Sequence, residues 1–284
     1  MLGKLFKYEF KNTAKVMLTI YGVLLLTTII GTFALRGAVR MEVTGNDSPI
    51  ANLLFATALI VYILSIFAFF IVTYVYMCTH FYKTMYSAQG YLTHTLPVKR
   101  LTTFHVKLAT SFIWIFLSIL LFIASIFLLV NGAVGGELWS LLSTEIWKDF
   151  GRELAAMGIS RAGFVLYAIA IIVLSCLSYL LWVFASASIG QLFSTNKVLV
   201  SVVAGVIIYF INQVMSLVVM TICGLFASAS VSGSIFSVTA TTVSGTTSKL
   251  QNAFLGGQMI YSVLVVIVLY VICNVIVRKH VNLE

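Results

Sequence analysis

Residues 53–78 read LLFATALIVYILSIFAFFIVTYVYMC, a run without one charged side chain. A helix needs about 20 apolar residues, at about 1.5 Å each, to cross roughly 30 Å of hydrocarbon, and this run is longer. Five more runs qualify, near 16–35, 108–130, 163–187, 199–223 and 258–277. The chain is 61% hydrophobic and 9% charged, with a mean hydropathy of +1.09. A soluble domain dilutes its apolar content with a charged surface, so this composition excludes that class. The expectation is an all-α integral membrane protein with six transmembrane helices, residues 1–284 forming a single transmembrane domain. No segment between runs reaches the roughly 50 residues that a domain of its own needs. The first run is too long for a signal-peptide core and reads as a retained anchor.

The net charge of +9 could mark nucleic-acid binding, but its placement argues otherwise. With the N-terminus inside, the inner segments hold Lys4, Lys7, Lys11, Lys15, Lys83, Lys99, Arg100, Lys107, Lys197, Arg278 and Lys279 against Glu9 and Glu284. The outer loops hold six basic and six acidic residues, so the whole surplus falls on one side. That pattern predicts cytoplasmic N- and C-termini in a multi-pass cell-membrane protein, with lipids and no nucleic acid among its partners. Cys78, Cys176, Cys223 and Cys273 lie in or beside the runs without a C-x-x-C pair, which favours inert thiols over disulfides or metal ligands.

Three connecting segments carry patterns of their own. In MLGKLFKYEFKNTAKV the lysines at 4, 7, 11 and 15 share one helical face, opposite Leu2, Leu5, Phe6, Phe10 and Met17. Residues 1–15 are therefore expected to lie as an amphipathic interfacial helix before the chain turns into the first span. Glu9 falls on the apolar face, where it either snorkels to water or meets a basic group on a partner protein. Residues 131–162 place Trp139, Leu142, Ile146, Phe150, Leu154 and Met157 on one face and Glu145, Lys148 and Arg152 on others, which predicts an external amphipathic helix, a lid or a receptor for cargo. The glycine-broken, nearly uncharged stretch 224–257 predicts a re-entrant segment between spans five and six.

The chemistry that is missing narrows the function. The sequence has no G-x-x-x-x-G-K-[ST] phosphate loop and no H-E-x-x-H, and the six runs contain no Asp, Glu, Lys or Arg. A charge at the bilayer centre is unfavourable by about 3 kcal/mol, and proteins keep one there for ion or proton paths. The expectation is no enzyme, no catalytic residue and no metal site, with His80, His94, His105 and His280 all near the inner face. Asn212 and Gln213 reach mid-membrane, either as hydrogen-bonded helix contacts or on a substrate path. Phe70 and Tyr74, in FAFFIVTYVYM, would give such a path an apolar wall.

Between the second and third runs, KTMYSAQGYLTHTLPVKR interrupts the apolar pattern with a glycine and a proline. Phe81, Met85, Ala88 and Leu92 make a helical stripe, Gly90 suits its end, and Pro97 suits the first turn of the next helix. The expectation is a rigid cytoplasmic elbow over 79–107. This elbow, the KLFKYEFK opening and the six-span pattern resemble an ABC-2 type ABC transporter permease, a fold of the type V exporter kind, closest to the small permeases of Gram-positive bacteria. The resemblance in sequence is confined to residues 1–17 and 79–108.

It implies that Glu9, Lys83, Ser87, Gln89, Gly90 and Tyr91 contact a separate ATP-binding cassette subunit. ATP and Mg would be bound there, and this chain would bind no cofactor. It also implies a second permease chain, identical or related, and export of an amphipathic or hydrophobic cargo such as an antimicrobial peptide, a drug or a lipid-like molecule. The alternatives are an ATPase-independent scaffold or assembly protein, and a sodium-exporting permease of the same family.

Overall fold

A computed structural model describes residues 2–44, 49–87, 90, 100–133, 147–156, 159–193, 196–232 and 240–279. Among these the chain is helical, with no strand. The helices are α1 (Leu2–Thr44), α2 (Pro49–Met85), α3 (Arg100–Ala133), α4 (Trp147–Ala156), α5 (Arg161–Gly190), α6 (Lys197–Ser232) and α7 (Ala240–Lys279). All but α4 are long and apolar enough to cross a membrane, and each contains one of the six apolar runs. Large apolar side chains such as Leu53, Leu64, Phe67, Phe210 and Leu225 stand more than 60% exposed. A face of that kind is untenable in water and ordinary against lipid. This is a multi-pass membrane protein.

Where the sequence reads as one domain, the helices cluster into two compact units: Met1–His80 with Thr102–Ile146, and Phe81–Leu101 with Trp147–Glu284.

In the first unit, side-chain pairs fix the helix directions. Thr13 meets Trp114, Tyr21 meets Ser118 and Thr28 meets Ser125, a nearly constant offset that makes α1 and α3 parallel. Ser65 donates to Thr27, and Tyr62 lies against Gly31 and bonds Ser125, so α2 runs antiparallel to both. In the second unit Trp182 donates to the Gly205 carbonyl and Tyr261 to Asn212, so α6 is antiparallel to α5 and to α7. Tyr167 donates to the Leu255 carbonyl, and the Cys273 thiol faces the Leu181 carbonyl, so α5 and α7 are parallel.

Two expectations are corrected and one is seen in part. The chain does not turn between residues 15 and 16: α1 is one helix, because no glycine or proline interrupts residues 4–21, and Thr13 and Met17 stay buried across the expected boundary. Its two faces are as expected, with Lys4, Lys7, Lys11 and Lys15 exposed and Phe6, Phe10 and Glu9 turned inward. Of the helix expected within 131–162, Trp147–Ala156 is seen among the described residues, with Leu154 buried, Phe150 half-buried against Phe164, and Lys148 and Arg152 exposed. Trp139, Leu142, Glu145, Ile146 and Met157 lie outside the described residues. Gly224, Gly256 and Gly257 do not break helices: α6 and α7 continue through them, and Gly257 is where α7 passes closely over Cys223. Residues 233–239 lie outside the described residues.

Candidate functional site

The first candidate place is an ionic cluster inside the first unit. Lys107 Nζ of α3 donates to Glu9 Oε1 of α1 at 2.8 Å, and His80 Nε2 of α2 lies 2.9 Å from the same oxygen. To donate there, His80 must carry its proton on Nε2. The side chains are 5% (Lys107), 15% (Glu9) and 13% (His80) exposed, so the charges are largely withdrawn from solvent. Each residue sits outside the apolar run of its helix, and the cluster ties the three helices together at one level. Glu9 Oε1 is thereby paired within the chain with a lysine and a histidine of two other helices. The sequence-level signal is a lone acid on an apolar face, with a lysine and a histidine at the matching ends of two other runs.

A polar ladder continues from this cluster. Trp114 Nε1 donates to Thr13 Oγ1 at 2.8 Å, and Phe10 stacks on the Trp114 ring at 4.6 Å. Further along, the Ser125 hydroxyl bonds both Thr28 (2.7 Å) and Tyr62 (2.8 Å). Phe70 packs edge-on against Phe122 and is 40% exposed, and Tyr74 is half-buried one turn later.

The second place is the start of the elbow, in the second unit. Phe81 stacks on Phe184 of α5 with centroids 3.8 Å apart, and the Tyr86 hydroxyl bonds Ser188 Oγ at 2.8 Å. Phe81, Met85 and Tyr86 are buried, whereas Lys83 points to solvent. The helix stops at Met85 instead of reaching Gly90. Ser87 Oγ donates back to the Lys83 carbonyl at 2.7 Å, a local bond that competes with helix continuation. Gly90 N–H then closes on the Ser87 carbonyl at 2.6 Å. Gly90 is itself helical, and a Cβ there would meet the Met85 carbonyl oxygen at 2.5 Å, so this close approach to the end of α2 requires glycine. Gln89, Tyr91, Ala88, Leu92 and Pro97 lie outside the described residues.

Also in this unit, Asn212 Oδ1 accepts from Tyr261 at 2.5 Å, while the adjacent Gln213 is exposed. An open cleft of about 690 Å³ is lined by Tyr82, Asn196 and Lys197 at a polar edge and by Val198, Leu199 and Val202 beyond it. Among the described residues no group of three or more His, Cys, Asp or Glu side chains could hold a metal ion. The arrangement offers a buried anchor on α5 and an exposed cation in the last turn of α2. No family model, no curated protein and no solved structure matches this chain.

Proposed function

We propose that this chain is the membrane-spanning subunit of an ATP-driven exporter of the ABC-2 kind, pairing with a second permease chain and moving an amphipathic or hydrophobic cargo. The observation that carries the reading is the end of α2: Lys83 is exposed there, while Phe81 and Tyr86 on the other side are buried against α5. A helix end seated in this way passes a push at its exposed face directly into the helix on which it rests. The sequence holds no phosphate loop and its apolar runs hold no charge, so the work comes from a separate ATP-binding subunit. In this reading Lys83, Ser87, Gln89 and Tyr91 contact that subunit, whereas Gly90 is buried and does not; both termini are cytoplasmic, and the membrane is the bacterial cell membrane. Glu9 has an internal role, holding α1 to α2 and α3.

The test is isolation of the intact chain from its native membrane in mild detergent. A subunit carrying a G-x-x-x-x-G-K-[ST] motif is expected at equal stoichiometry, reduced at least tenfold by Lys83→Glu. Isolation without any such subunit sinks the reading and leaves the scaffold alternative.

A further inference from the structure

The lysine face of α1 and the apolar face beyond it lie in one line. Because α1 runs unbroken from Leu2 to Thr44, Lys4, Lys7, Lys11 and Lys15 share a side of the helix with Leu18, Leu26 and Ile29, all within about 60° of one direction. The lysines are exposed, and the three apolar side chains are between 51% and 63% exposed. Gly22 leaves a notch among them, with nothing within 4 Å of the position its Cβ would take.

Packing within the first unit sets the depth of this face. Tyr21 pairs with Ser118 and Thr28 with Ser125, each 97 residues apart, and that offset puts Lys11 level with Leu108, where the apolar run of α3 begins. Lys15, level with Phe112, stands about 6 Å further into the membrane. An exposed cation at that depth is unfavourable unless a negative group meets it. The three helices offer none nearby. Glu9 is the only acid among residues 1–41, it lies about 120° or more round the helix from each lysine, and it is already paired with Lys107 and His80. Residues 48–136 contain no Asp or Glu.

We propose that this face binds an anionic phospholipid, with its phosphate between Lys11 and Lys15 and an acyl chain along Leu18, Gly22, Leu26 and Ile29. From Leu18 to Ile29 is about 16 Å, which matches one leaflet's half of a hydrocarbon layer roughly 30 Å thick. Lys7 and Lys4 stand about 6 and 10 Å outside Lys11, so they add an attraction that salt screens over about 8 Å. On the topology proposed above the lipid belongs to the inner leaflet, but the site rests only on the membrane-spanning part of that reading. Its test needs no ATPase, so failure of the site and failure of ATP coupling are separate results.

The intact chain, stripped of lipid in mild detergent, is titrated with phosphatidylglycerol or with zwitterionic phosphatidylcholine, and bound lipid is counted by native mass spectrometry. The native chain is expected to prefer phosphatidylglycerol by about tenfold or more, since each lysine at an anionic headgroup favours binding about fivefold. Lys11→Gln combined with Lys15→Gln should lower that preference about tenfold, Lys4→Gln combined with Lys7→Gln should lower it less than about threefold, and Lys11→Arg combined with Lys15→Arg should keep it. No preference in the native chain, a preference that survives the inner glutamine pair, or its loss in the arginine pair overturns the site. Equal loss from the outer and inner glutamine pairs also overturns it, because that marks diffuse attraction along the helix. Displacement of the lipid by an equal concentration of glycerol phosphate overturns it as well, because the apolar stripe would then add nothing.

Discussion

The two units differ in the most prominent ties between their helices. In the first, α1, α2 and α3 are joined by polar side chains: the Glu9 cluster, Trp114 with Thr13, and Ser125 with Thr28 and Tyr62. In the second, small residues bring backbones close: Ser186 meets Gly205, Gly190 meets Ser201 and the Lys197 carbonyl, and Gly257 meets Cys223. Between helices in lipid there is little hydrophobic drive, so association relies on hydrogen bonds and close packing. Neither device is exclusive, since Trp182, Tyr261 and Tyr86 make hydrogen bonds in the second unit and Gly31 lies close to Tyr62 in the first, and the two fail differently. A polar tie broken on one side leaves a buried group unpaired, whereas a close approach fails by overpacking.

The largest effect is expected at the ionic cluster. Glu9→Leu or Lys107→Leu alone strands a buried charge and should lower stability by about 3–5 kcal/mol. The double variant should recover most of that loss, as a double-mutant cycle of thermal unfolding in detergent would reveal. Additive losses would mean that the two groups do not act as a pair. Next in size is Gly190→Ala. Its new Cβ falls 2.7 Å from the Lys197 carbonyl oxygen, so a loss of about 1–3 kcal/mol is expected, only partly relieved by Ser201→Gly.

Smaller again is Tyr62→Phe, which removes one interhelical hydrogen bond and should lower stability by about 0.6 kcal/mol, measured in the same way. Lys11→Ala, on the exposed face of α1, should stay within about 0.5 kcal/mol of the native chain. A loss at Lys11 as large as that at Glu9 would erase the contrast between the two faces.

The spans are legible in the sequence because hydrophobic runs report burial in lipid directly, and each of the six runs falls within one helix. The faces of α1 and of the Trp147–Ala156 helix are legible from their 3.6-residue period. The partners of Glu9 are not, because 71 and 98 residues separate it from His80 and Lys107, and periodicity carries no information about pairing at that range. The end of α2 at Met85 is hidden for a related reason. It is set by the hold of Ser188 on Tyr86, a contact 102 residues away, and by the Ser87 hydroxyl, whereas the local stop signal is Gly90. Gly224, Gly256 and Gly257 look like breakers in sequence, but at Gly257 the missing side chain serves a close helix approach.

Entry of energy through the elbow is tested most directly by a photo-activated cross-linker placed at Lys83 in the intact chain in its native membrane. The expected result is a linked product whose second component carries a phosphate-loop motif, with no such product from a cross-linker at exposed Lys148. A cross-linker at Lys83 that captures only lipid, or captures the same proteins as one at Lys148, would contradict it.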